Sequence, residues 1–201
     1  MKNEKAIDYF LQLIMVILGV FLGMMASEWS SNRNLEKDKK SLLLGLKNEL
    51  QNNLDYLKSR KENDIIPFFN SLDSLTKHLN KHPEALNEKF KSKSFNERIP
   101  NFPGLRRQVD DSMFEATKFS NMLAYFDIAL LQQLSKTYSL QYNIQETRNI
   151  FLQKLIEIDS QTIYDDVVDL LWEIMQSYFG AQYKLIEEYE KSIQLIDQSL
   201  E

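Results

Sequence analysis

The chain has no cysteine among its 201 residues. That excludes disulfides, thiolate metal sites and a cysteine nucleophile. Glycine and proline are also scarce, at five and four residues. A sheet needs more turns than that allows. With abundant Leu, Ile, Gln, Lys and Glu, the composition is that of long helices. Histidine occurs twice, as His78 and His82 in HLNKH. Their i, i+4 spacing can chelate a metal, as in HExxH proteins. The glutamate of that motif is missing and Pro83 follows directly, so two surface histidines is the better reading. There is no phosphate-cradling glycine loop, no GxSxG and no nucleotide-binding pattern.

Three acidic groups remain: Asp110/Asp111/Glu115, Asp165/Asp166/Asp169 and Glu187/Glu188/Glu190. Paired carboxylates can do acid–base work or hold metals inside a bundle. Such sites usually draw Glu-x-x-His from facing helices, and none exists here. A solvated helix face is the simpler account. No catalytic residue, cofactor or metal is expected, and a metal-dependent hydrolase stands only as a remote third class of function.

What the chain does have is a run of eighteen residues without a charge, YFLQLIMVILGVFLGMMA at 9–26. A helix of that length covers roughly 27 Å, close to the hydrocarbon thickness of a bilayer. A signal peptide would have a shorter apolar core and a small-residue cleavage site. Here bulky Met24 precedes Ala26, and Glu28 and Trp29 follow Ser27. Tyr9 and Trp29 bracket the run where interfacial aromatics are expected. The sequence therefore predicts an uncleaved membrane anchor over 9–29, after an N-terminal flank at 1–8. Gln12, Gly19, Gly23 and Ser27 share one side of this helix. The GxxxG of Gly19 and Gly23, extended by Ser27, lets two backbones approach, and Gln12 can hydrogen-bond across such a contact. A homo-oligomer assembled through this face is expected.

Charge is uneven. Residues 1–109 hold 18 basic and 13 acidic side chains, residues 110–201 hold 6 and 16. The half nearer the anchor suits anionic lipid. Arg33, Lys37, Lys39, Lys40 and Lys47 outnumber Lys2 and Lys5, which favours a cytoplasmic C-terminal domain.

From residue 30 to 66 the spacing predicts a stalk that becomes the first bundle helix. Leu43, Leu46, Leu50, Leu54 and Leu57 form its stripe, QNN at 51–53 interrupts it little, and Pro67 ends or kinks it. The helical domain continues over 67–201. A short helix over 68–82 carries Phe68 or Phe69, Leu72, Leu75 and Leu79, and a brief turn follows towards Phe90. Residues 91–108 read as a loop. Asp110-Asp111 and then Asp127 favour helix N-termini. The helix from Ile128 carries Leu131, Leu134, Tyr138, Tyr142, Phe151, Leu155 and Ile158. A last stripe runs through Val167, Leu171, Ile174, Tyr178, Ala181, Leu185, Tyr189, Ile193 and Ile196. A break near Asp159-Ser160 makes these two an antiparallel hairpin or one bent rod. The expected fold is all-α, an anchor helix continuing into an elongated bundle.

In the loop, Lys89, Lys91, Lys93, Arg98, Arg106 and Arg107 alternate with Phe90, Phe95 and Phe102, and only Glu97 opposes them. Such a mixture can contact lipid headgroups, a nucleotide or single-stranded nucleic acid, or pack its phenylalanines under the bundle and bind nothing. Nucleic acid is the weakest of these. Trp172, Tyr178, Phe179 and Tyr183 could line a pocket, but they lie on or beside the apolar stripe and read as core.

The pieces MVILGVFLGMMASEW, with Trp29 and Arg33, and LLLGLKNELQNNL resemble a group of small bacterial single-pass membrane proteins of unknown function. MFEATKFSNMLAYFDIALLQQLSKTY is a second shared piece, with Asp127 opening a helix that carries Leu131, Leu134 and Tyr138. Where those proteins often have an SG turn, this chain has Phe119-Ser120-Asn121. The resemblance covers about 70 residues, implies a bacterial inner-membrane location and brings no activity with it. The expected function is a non-enzymatic, self-associating membrane scaffold that offers its bundle to a protein partner. The alternative is a sensor–effector, of the kind found in bacterial defence, whose helical domain binds an anionic ligand and rearranges the anchors.

Overall fold

The computed structural model describes residues 2–90, 99–106 and 109–200, with side chains from Met15 onward. Among them the architecture is all-α. Helix α1 spans Lys2–Arg60, and the chain divides into two compact units, Met1–Leu43 and Leu44–Glu201, whose boundary falls within it.

In the first unit the large apolar side chains of 15–25 are exposed all round the helix, from 49 % at Leu18 to 72 % at Met15. Trp29 is exposed too, with the Arg33 guanidinium 5.8 Å from its ring centre. Among the described residues no helix is long and apolar enough to cross a membrane. Residues 9–14, the first third of the uncharged run, have side chains outside the described residues.

The second unit packs the end of α1 against the helices that follow it. Leu46, Leu50, Leu54 and Leu57 of α1 are all buried, as their spacing predicts. Pro67 does not simply stop this helix. A π-helical turn at Lys61–Ile65 comes first, and α2 (Ile66–Lys81) then starts with the proline in its first turn. A proline cannot donate to the carbonyl four residues back, so widening the preceding turn lets the chain continue. Phe68, Leu72 and Leu79 face inward, whereas Phe69 is 41 % exposed.

After the short α3 (Pro83–Leu86), Glu88 to Phe90 pair with residues 162–164. Phe90 N–H donates to Thr162 at 2.7 Å and Tyr164 N–H to Glu88 at 3.1 Å. Helical periodicity gives no hint of this bridge. Helix α4 (Ser112–Phe119) ends in a break where Asn121 takes φ +56°. Asparagine is the non-glycine residue that best tolerates that left-handed conformation. A single 3-10 turn, Met122–Tyr125, leads to α5 (Ile128–Ile156).

The break near residue 159 is a true reversal. The Asp159 carboxylate accepts from the Gln161 and Thr162 amides at 2.7 and 3.1 Å. Helix α6 (Tyr164–Glu173), a π-helical stretch at Ile174–Phe179 and α7 (Gly180–Leu200) then return. Thr137 meets Ser192 at 2.8 Å and Gln141 meets Tyr189 at 2.8 Å, so α5 and α7 are antiparallel. Lys47 to Asp197 (2.5 Å) and Lys58 to Glu190 (2.6 Å) set α7 antiparallel to α1 as well. Of the last stripe, Ala181 and Ile193 are only half-buried.

The face of α5 departs from its apolar spacing. Tyr142 is 64 % exposed, Leu131 and Leu155 are half-buried, as is Ile158 beyond the helix end, and Thr137 and Gln141 are buried instead. The hydroxyls and amides opposite them on α7 explain why. Polar groups stay inside only where partners await them.

Candidate functional site

The connection that descends to α4, described at 104–106 and 109–110, is held by polar side chains from the surrounding helices. Gly104 sits at φ +67°, a conformation open to glycine without strain. Its carbonyl accepts from Arg60 Nη2 at 2.6 Å. The Leu105 carbonyl accepts from Arg148 Nε at 2.8 Å, and that of Arg106 from the Tyr178 hydroxyl at 3.2 Å. Asn53 clasps Asp110 from both sides, donating to its carbonyl at 2.7 Å and accepting from its amide at 3.0 Å. Gln141 Nε2 adds a bond to the same carbonyl at 3.3 Å.

QNN at 51–53 is therefore not a neutral interruption: Asn53 is 5 % exposed and fixes the loop's exit. A further polar group ends the descent. The Glu49 carboxylate accepts from the Met113 amide at 2.6 Å and from the Tyr138 hydroxyl at 2.6 Å. It thus caps α4 from another helix, while Asp111 at the N-cap position makes no side-chain cap bond of its own. Phe114 stacks on Tyr138 with ring centres 3.9 Å apart. Burial raises the Glu49 pKa, opposed by the bonds from Tyr138 and Met113.

Between this segment and the helices lies a narrow cleft, partly open to solvent and with room for about one water. Leu57, Val109, Ile144 and Leu185 form its apolar wall; Arg106, Arg148, Tyr178, Gln141, Gln145 and Gln182 form its polar one. No carboxylate lines it among the described residues. Gln182 is 2 % exposed and its Oε1 has no hydrogen-bond partner among them. Arg60 lies behind Tyr178, 3 % exposed, with its guanidinium 5.5 Å from the centre of the Phe179 ring. Its Nε and Nη1 also lack hydrogen bonds there, and Asp64 approaches Nε only to 3.8 Å. Burial lowers the Arg60 pKa.

The residues singled out from sequence fall in different places. Of the basic loop, Lys91, Lys93, Arg98 and Arg107 lie outside the described residues, as does Phe95. Lys89 is exposed and donates to Gln161 Oε1. Arg106 is exposed and reaches the cleft. Phe90 is fully buried, and Phe102 packs edge-on against Phe68 at 5.3 Å. These two phenylalanines serve the core.

On the proposed anchor face, Gln12 has no described side chain. A side chain added at Gly19 or Gly23 would meet nothing within 4 Å, and Ser27 is exposed. His78 and His82 lie 4.8 Å apart between ring centres, with Glu84 3.4 Å from His82. Among the described residues no group of three or more metal-ligating side chains gathers. Trp172 donates to Thr76 Oγ1 at 3.0 Å and Phe179 is fully buried, whereas Tyr178 belongs to both the core and the cleft wall.

The acidic groups are divided by their surroundings. Asp165, Asp166 and Asp169 are exposed. Glu188 is 6 % exposed and receives Gln133, Lys136 and Lys191, each at 2.9 Å. The Gln133 bond, reinforced by the two lysines, holds its pKa down at about 2. A depressed carboxylate contributes stability that is complete above its unfolded value near 4.5 and lost as pH falls to about 2. Glu188→Gln is therefore expected to be less stable than the parent at neutral pH. The gap should close as pH approaches about 2, in urea midpoints measured along a pH series.

No protein-family model, no curated protein and no solved structure matches this chain.

Proposed function

We propose that this chain is a membrane-tethered, self-associating helical protein that works by binding rather than by catalysis. The observation that carries the reading is the exposed apolar girdle of residues 15–25. A helix that is apolar on every side needs an apolar surrounding. Among the described residues of the first unit nothing covers these side chains, and residues 9–14 extend the same uncharged run in the sequence. A bilayer is the surrounding of matching thickness. Lysines and arginines just after the run favour a C-terminal domain on the cytoplasmic side, and the resemblance to small bacterial single-pass proteins points to the inner membrane.

Self-association is supported by Gly19 and Gly23, whose open faces would let a second helix come close. In the second unit the two buried glutamates among the described residues are committed to structure: Glu49 caps α4 and Glu188 anchors three donors. That favours an interaction protein over a hydrolase. The test is the mass of the detergent-solubilised full chain beside Gly19→Ile with Gly23→Ile. A defined oligomer that dissociates in the variant is expected. The same mass in both would remove assembly from this helix face.

A further inference from the structure

Helix α4 hangs between two residues of positive φ, Gly104 at +67° and Asn121 at +56°. Its start is fastened by Glu49 of α1. Met113 lies against α1 at Gly45, where an added Cβ would run into Met113 Cε. Phe114, stacked on Tyr138, and the fully buried Thr117 complete the contact. We propose that α4 is a proton-governed latch, held more firmly when Glu49 carries a proton and loosened when Glu49 ionises.

The surroundings of this carboxylate are what favour a proton on it. Glu49 is 6 % exposed, and no lysine, arginine or histidine pairs with it among the described residues. A buried charge without a counter-ion is costly. Every charge that faces it is acidic. Asp110 stands nearest, on the connection, and Asp111 lies beside the tyrosines that surround Glu49, Tyr138 of α5 and Tyr189 of α7. Burial raises both phenol pKa values, so neither ring brings a charge.

Ser112 supplies a second, purely geometric observation. Its hydroxyl lies 3.4 Å from Glu49 Oε2 and 3.1 Å from Asp110 Oδ2. A hydroxyl has one hydrogen to donate, so it serves one carboxylate and turns lone pairs to the other. Two carboxylates meeting at one hydroxyl favour uptake of a proton, because like charges in one site resist joint ionisation. The bonds from Tyr138 and the Met113 amide favour the ionised form, but burial outweighs them and the Glu49 pKa is raised.

The direction of the switch follows. With its folded value above the ordinary 4.5, Glu49 holds more proton when α4 is closed over it than when α4 has lifted and water reaches it. The hold is therefore strongest in acid and weakens as pH rises through the folded value. Glu188 has the opposite sign and acts lower, since its contribution is complete above its unfolded value near 4.5.

The experiment is amide hydrogen exchange of the full chain in detergent at about pH 7.5 and about pH 5.5, corrected for the intrinsic pH dependence of exchange. Protection of Ser112–Phe119 is expected to be about threefold or more greater at the lower pH. Protection of α6 should be unchanged. Glu49→Gln, neutral and of the same shape, should hold α4 at the higher pH as firmly as the parent does at the lower one, and should abolish the difference. Equal or smaller protection of α4 in acid would overturn the proposal, and this comparison needs no substitution. An equal gain in α6 would also overturn it, by making the effect one of the whole unit. So would a looser α4 in Glu49→Gln at the higher pH, which is what a purely structural charged cap predicts. None of these outcomes depends on whether 9–26 enters a membrane, because Glu49 and α4 both lie in the second unit.

Discussion

Leu18→Arg combined with Leu22→Arg is expected to shift the chain from the membrane fraction to the soluble or aggregated one. Both leucines are exposed in the first unit, at 49 % and 63 %. In a bilayer each would favour insertion by about 0.3–0.6 kcal/mol, and an arginine at a helix centre costs about 2.5–3.5 kcal/mol. The pair therefore changes insertion by roughly 6–8 kcal/mol, more than the remaining apolar residues of so short a run can offset. Leu18→Ile with Leu22→Ile changes the shape and keeps the hydropathy, so it should leave the distribution unaltered. Fractionation of cells expressing each chain reads the result. If the arginine pair fractionates like the parent, the run is not what holds the protein.

The largest effect inside the second unit is expected from Phe179→Ala. The ring is fully buried between Phe68, at 6.1 Å, and Tyr178, at 5.1 Å, with Arg60 5.5 Å from its centre. Truncating a buried phenylalanine costs about 3–5 kcal/mol in lost transfer and cavity terms. Here it would also leave the buried Arg60 guanidinium without the ring it lies over. That is a large share of the about 5–15 kcal/mol by which such domains are stable. Phe69→Ala is the matched control. Phe69 is 41 % exposed and meets Trp172 edge-on at 5.8 Å, so about 1 kcal/mol is expected. Urea unfolding of the full chain in detergent, followed by far-ultraviolet circular dichroism, compares the two. Equal midpoints for both variants would mean that the core is not centred on Phe179.

These two sites also mark what could and could not be read from the sequence. The stripes on α1 and on the last helix were legible because apolar residues at three- and four-residue steps have few other uses. Leu46, Leu50, Leu54 and Leu57 are buried as expected, as are Val167, Leu171, Ile174 and Tyr189. The clasp of 104–106 and Asp110 was hidden, because it consists of polar residues that the same reading treats as solvated. There was one signal for it. Asn53 and Arg60, and likewise Gln141 and Arg148, each recur seven residues apart, which places each pair on one helix face two turns apart. All but Arg148 are buried, and all four bond to the backbone of Gly104, Leu105 or Asp110.

Glu49 was illegible for a different reason. The acceptor that caps α4 comes from 64 residues earlier in the chain, and no local pattern encodes a contact of that span. Asp110, the local candidate, accepts from the Ser112 amide at the start of α4, and its own amide donates to Asn53. The widened turn before Pro67 follows from proline chemistry once a continuing helix is granted, but the sequence alone allows either a stop or a bend.

The central claim is that residues 9–26 hold the protein in a bilayer, and flotation of the unaltered full chain tests it most directly. Membranes from expressing cells would be washed at alkaline pH and floated on a density gradient, which separates inserted protein from both peripheral protein and aggregates. The account predicts that the chain rises with the lipid. Recovery in the alkaline supernatant, or at the bottom of the gradient without lipid, would contradict it.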